Sequence, residues 1–372
     1  MSNAELAVAL GGGGARSAYQ VGTLRGLAAR FPDLGVPILT GVSAGAINAA
    51  HLANHTGRFA DKTANLAELW STLDTGGVFY VDTLSLLSRA AGIGARLIVP
   101  RRRPWGQGMV DTTPLRATLR RSLGADDGEL RGVRANLAQG RLRAVALTTT
   151  RYSTGQTVTF FSGRGIEAWE RPQRRSVEAQ LTVDHVMASA ALPLFFPAVS
   201  IDGDYYGDGG VRLVAPLAPA LHLGARKILA ISTRYRRTRE EADSPSFAGP
   251  PSPAHILGVL YNAIFIDMLE QDAIQLERVN DLLEATEHPV LRQVELLVLR
   301  PSRDLGRLAG ELEPQLPKTF RFLTRRLGTQ RTRSQDFLST VMFQPDYLHR
   351  LLELGERDAL ARMDEIEAFV AG

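Results

Sequence analysis

Two residues in this chain have the type and setting for nucleophilic chemistry. Ser43 stands in Gly41-Val42-Ser43-Ala44-Gly45, a pattern whose small residues permit a sharp strand-to-helix turn that holds the hydroxyl out at the positive end of a helix. Asp208 stands in Gly207-Asp208-Gly209-Gly210. An aspartate between glycines is a common turn residue, but it is also the one acid presented on a glycine-framed turn and so a candidate base for the serine. A serine so presented suits acyl transfer, in which its oxygen attacks a carbonyl carbon. A third stretch, Gly11-Gly12-Gly13-Gly14 followed by Ala15-Arg16-Ser17, offers backbone N–H groups unshielded by side chains to an anion at the next helix N-terminus. That anion is either a phosphate or the oxyanion that develops when a serine attacks.

The elements that must position these groups are legible around them. Leu6 to Leu10 is a continuous apolar run that reads as a strand, and Ala18, Val21, Leu24, Leu27, Ala28 and Phe31 recur at helical spacing after the glycines. Val36 to Leu39 reads as a second buried strand and Ala44 to Ala53 as a helix, which leaves Ser43 at the joint. A dinucleotide fingerprint would also follow a first strand. The spacing from Gly12 gives Gly14 and Ser17, and that from Gly11 gives Gly13 and Arg16, so neither is a clean G-x-G-x-x-G. The acidic residue expected about 20 residues on, at the end of the second strand, is also missing, which disfavours a nucleotide-binding oxidoreductase. The oxyanion reading explains more, since it uses both the loop and the serine. Arg16 would then add positive charge or tie the loop down.

Composition narrows the chemistry further. The 372 residues contain no cysteine, which excludes disulfides, a thiolate nucleophile and cysteine-bound metal. Lysine occurs only at Lys62, Lys227 and Lys318, and the arginines cluster at 101–103, 171–175, 234–239 and 321–333. Such clusters are solvated faces or suit an anionic lipid surface; no nucleic-acid motif accompanies them. The run from Arg96 to Trp105 is either a lipid contact or an ordinary loop. No basic n-region precedes Leu6 to Leu10, so the expected location is the cytoplasm, peripheral to a membrane at most. The longest apolar stretch, Ile256 to Leu269, is too short to span a bilayer and reads as a buried helix.

Further along, Thr113 is expected to cap a helix with Pro114 at its first position. Ala64 to Leu73 and Asp184 to Ala191 read as helices, and Arg143 to Thr150 and Thr157 to Phe161 as strands joined by a turn. Pro193 to Pro197 forms a stiff apolar wall fit for an acyl pocket or a packed loop. Val199 to Asp202 and Asp204 to Tyr206 form a hairpin, and Lys227 to Ser232 a strand. Pro245 to Pro253 is the best linker candidate. A long helix from Ala254 to about Thr286, a strand from Val294 to Leu299 and helices at Phe320 to Leu327, Ser334 to Met342 and Pro345 to Val370 complete the pattern. None of the seven histidines stands in a glycine-framed setting.

Taken in order, Gly12-Gly13-Gly14-Ala15-Arg16-Ser17, Gly41-Val42-Ser43-Ala44-Gly45 and Asp208-Gly209-Gly210 resemble the three blocks of the patatin-like phospholipases. Ala191 to Pro197 resembles the family's proline-bounded block, and the match runs from Leu6 to Ser232. Val294 to Ser302 and the tail around Leu354 to Asp358 resemble bacterial members more loosely. Ser17 departs from the family, which more often has glycine there. The resemblance implies a three-layer α/β/α fold with a mainly parallel sheet, an acyl hydrolase unit over 5–235 and a mostly helical C-terminal extension over 236–372 packed on it. It also implies a Ser43–Asp208 dyad without histidine and an oxyanion hole at Gly12, Gly13 and Gly14 with Arg16 close by. Gly41 and Gly45 would frame the nucleophile elbow, and Gly209 and Gly210 the acid loop. No metal or cofactor is required. The expected partner is a phospholipid or other acyl-ester lipid at a membrane surface, with a non-catalytic lipid-binding protein on the same fold as the rival.

Overall fold

A computed structural model of the chain describes residues 5–80, 108–244, 250–265, 267–286, 288, 291–316, 321 and 335–371. The Arg96–Trp105 run, the first part of the Pro245–Pro253 loop and nearly all of the expected Phe320–Leu327 helix lie outside these residues.

β1 (Leu6–Leu10) is buried along its whole length because helices cover both its faces. Leu6, Val8 and Leu10 enter one apolar cluster, while Ala7 and Ala9 enter another. That alternation is why the strand reads as an unbroken apolar run. The other strands are β2 (Ile38–Val42), β3 (Ala144–Arg151), β4 (Gln156–Gly163), β5 (Glu170–Arg171), β6 (Arg174–Glu178), β7 (Val199–Ile201), β8 (Asp204–Asp208), β9 (Lys227–Ile231) and β10 (Glu295–Leu299). One sheet runs β10-β9-β1-β2-β3-β4-β6-β5, with β8 pairing to β3 and β7 to β8. The five strands from β10 to β3 are parallel, and β4 joins antiparallel.

The principal helices are α1 (Ala18–Arg30), α2 (Ala44–Asn54), α3 (Phe59–Thr72), α4 (Val183–Ser189), α5 (Pro253–Phe265), α6 (Met268–Ala285), α7 (Asp336–Val341) and α8 (Pro345–Ala361). Side chains of α1, α2, α3 and α8 share the larger cluster with β1, β2 and β3. On the opposite face, Ala144, Ala146 and Ala230 meet Leu217, Ala220 and Leu223 together with Leu269, Ala273 and Leu276 of α6. The result is a three-layer α/β/α arrangement.

Several boundaries differ from the sequence reading for local reasons. β2 starts at Ile38 rather than Val36, because Pro37 has no N–H for the ladder. Its carbonyl instead accepts the N–H groups of Arg143 and Ala144 at 2.7 and 3.1 Å. Thr112, not Thr113, occupies the N-cap of the Thr113–Ser122 helix, and Thr113 Oγ1 is held by Asp111 Oδ1 at 2.6 Å. The expected helix from Ala254 to Thr286 is two helices, α5 and α6. Between them Asp267 N donates to Asn262 O at 3.0 Å, a five-residue step that leaves the α ladder. The apolar stretch that begins at Ile256 is buried on one side only: Tyr261 and Leu269 are buried, while Ile256, Leu257, Val259 and Leu260 are exposed. The helix expected over Pro345 to Val370 breaks at Arg362, and a separate helix covers Met363–Ala371. Among the described residues no helix is long and apolar enough to cross a membrane.

α8 returns from the far end of the chain to lie against α1, and the two backbones touch. A Cβ on Gly22 would overlap the Leu352 carbonyl, and one on Gly355 would overlap the Tyr19 carbonyl. Backbone cannot yield as a flexible side chain can, so Gly22→Val is expected to cost about 3 kcal/mol by overpacking, measured as a lower urea midpoint.

Candidate active site

β2 turns into α2 at Ser43, whose backbone adopts φ 56° and ψ −134°. A non-glycine residue there carries on the order of 1–3 kcal/mol of strain and persists only where its surroundings over-determine it. Those surroundings are visible. Ser43 N–H donates to Ser189 Oγ at 3.1 Å, and Ser189 Oγ donates to Thr148 O at 2.6 Å, which ties the elbow to α4 and β3. Gly41 pairs in the ladder with Leu10 and Leu147 on either side. Gly45 brings α2 so close to β1 that a Cβ would overlap the Leu10 and Gly11 carbonyls.

Register places the carboxylate. β2 pairs with β3 up to Val42 opposite Thr148, and β8 pairs with β3 from Thr149 opposite Asp208. β8 therefore takes over the edge of β3 where β2 leaves it, and Asp208 arrives one residue beyond Val42, at the level of Ser43. Asp208 is fully buried. Its Oδ1 accepts the Gly210 N–H at 2.9 Å, its backbone O accepts Thr150 Oγ1 at 2.9 Å, and Oδ2 has no hydrogen-bond partner. Gly209 starts a 3₁₀ turn (Gly209–Arg212) and lies flat against Thr148, with no room for a Cβ. Burial pushes the Asp208 carboxyl up to about 7, opposed by the Ser43 side chain and the Gly210 N–H.

The glycine loop lies on the other side of Ser43. Its carbonyls are held back: Gly11 O accepts Gln20 Nε2 at 2.9 Å, Gly12 O accepts Thr233 Oγ1 at 2.9 Å, and Gly13 O accepts Arg16 N at 3.1 Å. Gln20 belongs to a buried network in which Asn48 Nδ2 donates to Gln20 Oε1 at 3.0 Å and Trp70 Nε1 donates to Asn48 Oδ1 at 2.7 Å. Arg16 does not point its guanidinium at an open anion site. Nε donates to Ser339 Oγ at 2.7 Å and Nη2 to Asp336 Oδ1 at 2.8 Å, an ion pair with both side chains largely buried. Of the two roles expected for Arg16, these contacts support the tether. Burial pushes Asp336 up, but Arg16 outweighs it and holds the carboxyl below its usual range.

Ser43 and Gly14 line a narrow apolar cleft walled by Trp70, Leu115, Phe196, Tyr261 and Phe343. Phe196 brings the proline-bounded block into this wall, whereas Leu194 of the same block stands 86% exposed. Among the described residues no histidine lines the cleft. His51 lies two turns along α2 from the serine, about 12 Å by helical rise, and burial pushes its imidazole down to about 4. The sequence reading missed Ser189, Thr233, Gln20, Asn48 and Tyr261. Only Ser189 left a local signal, as the one hydroxyl among small apolar residues just before the proline block.

Because Arg16 joins the glycine loop to α7, Arg16→Ala strands a mostly buried carboxylate. It is expected to cost about 3–5 kcal/mol in urea unfolding. Asp336→Asn keeps an acceptor and is expected to cost less.

Among solved structures, human GIVD cytosolic phospholipase A2 in complex with methyl gamma-linolenyl fluorophosphonate is similar over 99% of this chain and 59% of its own, at 13% identity and a TM-score of 0.46. VipD from Legionella pneumophila is similar over 94% of this chain and 67% of its own, at 13% identity and a TM-score of 0.36. The chain thus spans about 59% of the length of the human phospholipase it matches. No curated protein matched the sequence. The family model for patatin-like phospholipase matches residues 8–221, more than half of the chain, and the chain belongs to the patatin-like phospholipase family.

Proposed function

We propose that this protein is a lipid acyl hydrolase that cleaves carboxylic ester bonds through Ser43 and Asp208, with the N–H groups of Gly12, Gly13 and Gly14 as the oxyanion hole. The observation that carries the reading is the strained Ser43 backbone beside a buried carboxyl whose pKa is pushed up to about 7. An ordinary aspartate near 4 is a weak base toward a hydroxyl, and burial supplies the missing basicity.

Asp208 Oδ2 takes the proton from Ser43 Oγ as the oxygen attacks the ester carbonyl. The carbonyl oxygen becomes negative and is held by loop N–H donors, each worth about a hundred- to a thousandfold in rate. Collapse breaks the ester C–O bond, and the Asp208 proton goes to the departing alcohol. Water then gives its proton to Asp208, attacks the acyl-enzyme, and Ser43 leaves with the proton returned. The apolar cleft suits the acyl chain, and the substrate would be a phospholipid or another acyl-ester lipid presented at a membrane surface.

Hydrolysis of a short-chain p-nitrophenyl ester and of phospholipid vesicles tests this reading. Ser43→Ala and Asp208→Asn are each expected to lower kcat at least a thousandfold with the fold intact by circular dichroism. A Ser43→Ala variant that stays active would falsify it, and a wild type inactive on both substrates would favour a binding protein.

Proton acceptance by Asp208 gives a second expectation. kcat/KM on the soluble ester should climb about tenfold per pH unit below about 7 and level off above it. Stability should move the other way, because the folded state favours the protonated carboxyl. The contribution is fully present below the ordinary carboxylate range near 4 and is lost as pH rises through about 7. Asp208→Asn should therefore be more stable than wild type at pH 8 and equal to it near pH 3, read from urea midpoints.

A further inference from the structure

From Pro253 to Phe265, α5 contains no aspartate, glutamate, lysine or arginine. One side of it faces the protein: Tyr261 is buried and walls the Ser43 cleft, and Gly258 lies against Asp336 of α7. The other side carries Ile256, Leu257, Val259 and Leu260, which are 39–54% exposed. A water-facing helix normally carries charge on its outer face, and a run of exposed apolar residues of this kind marks an interaction surface.

We infer that the outer face of α5 is the surface by which the protein docks on a lipid bilayer, directly above the Ser43 cleft. The inference deepens the proposed function and rests on its lipid substrate. Two observations favour a bilayer over a second protein. The first is area: a 13-residue helix is about 20 Å long and 10 Å wide, a footprint of about 200 Å2, against the ~800 Å2 per partner of a standard protein interface. The second is continuity. The same helix that is apolar outside supplies Tyr261 to the cleft inside, so a lipid held at its outer face has one helix between it and the serine.

The flank of the helix carries charge of both signs. Val259 and Ala263 share a cleft with Arg234, Arg236 and Arg237 and with the carboxylates of Asp267, Glu270, Asp304 and Asp336. Arg234 pairs with Asp267 and Arg237 with Asp304 at 3.8 Å, while Arg236 has no carboxylate partner among the described residues. Apolar insertion is therefore the main attraction, with Arg236 adding to it on anionic lipid.

The chain lacks cysteine, so Leu260→Cys gives one labelling site, to carry an environment-sensitive fluorophore. On phosphatidylcholine/phosphatidylglycerol vesicles its emission is expected to shift to the blue, while a label at Leu282→Cys on α6 stays in water. Ile256→Glu with Leu260→Glu is expected to weaken vesicle co-sedimentation at least about tenfold and to leave soluble-ester hydrolysis within twofold of wild type. Ser43→Ala should sediment as wild type, so a failed catalytic assignment leaves this test readable. An unshifted Leu260 label, a double variant that binds as wild type, or a wild type that ignores vesicles would overturn the inference. So would a double variant that only converts a dimer to a monomer on size exclusion, which would assign the face to a second copy.

Discussion

The meeting of Ser43 and Asp208 depends on one strand edge being used twice. β3 is longer than β2, and its last three residues outlast the pairing with β2. β8 arrives antiparallel and fills that vacancy, so the ladder hydrogen bonds of β3 are satisfied while two unrelated segments end side by side. Ser43 leaves the sheet at this level and Asp208 enters it there. Ser189 locks the junction by accepting from Ser43 N–H and donating to Thr148 O. Backbone hydrogen bonding, the most rigid interaction the chain has, thus sets the separation of the two side chains.

The junction stores unfavourable energy in two forms, a serine with positive φ and a fully buried carboxyl group. Neither persists without support, because each costs on the order of a kcal/mol or more. The support comes from both ends of the chain. Gln20, Asn48 and Trp70 form a satisfied chain of hydrogen bonds behind the glycine loop. Arg16 reaches Asp336 and Ser339 of α7, more than 300 residues away in sequence. Gly22 and Gly355 let α1 and α8 meet at backbone contact, which braces the helix that follows the loop. Ser302 N–H bound to Asp358 at 2.8 Å and the Arg25–Glu356 ion pair extend the same bracing to the tail.

These contacts also explain why the residues beyond the family match are more than an appendage. β10 adds a fifth parallel strand beside β9, α7 anchors the glycine loop, and α5 walls the cleft with Tyr261. Tyr261 is raised first by burial and then by the Asp208 carboxylate, so the two groups feel each other electrostatically.

The order of strand, glycine loop, helix, strand and elbow was legible in the sequence because each is a local pattern. Leu6 to Leu10 reads as a buried strand, four glycines as a loop, and Ser43 between small residues as a tight turn. The three blocks in order named the family and its fold for the same reason. What local pattern could not settle was pairing between distant segments. Nothing near Asp208 says that β8 replaces β2 on β3, nothing near Arg16 says that its partner is Asp336, and nothing near Asn48 says that it bridges Trp70 and Gln20. The apolar helix α5 is the sharpest case. Its composition is that of a buried element, but burial depends on what packs around a segment, and only the tertiary structure leaves Ile256, Leu257 and Leu260 facing outward.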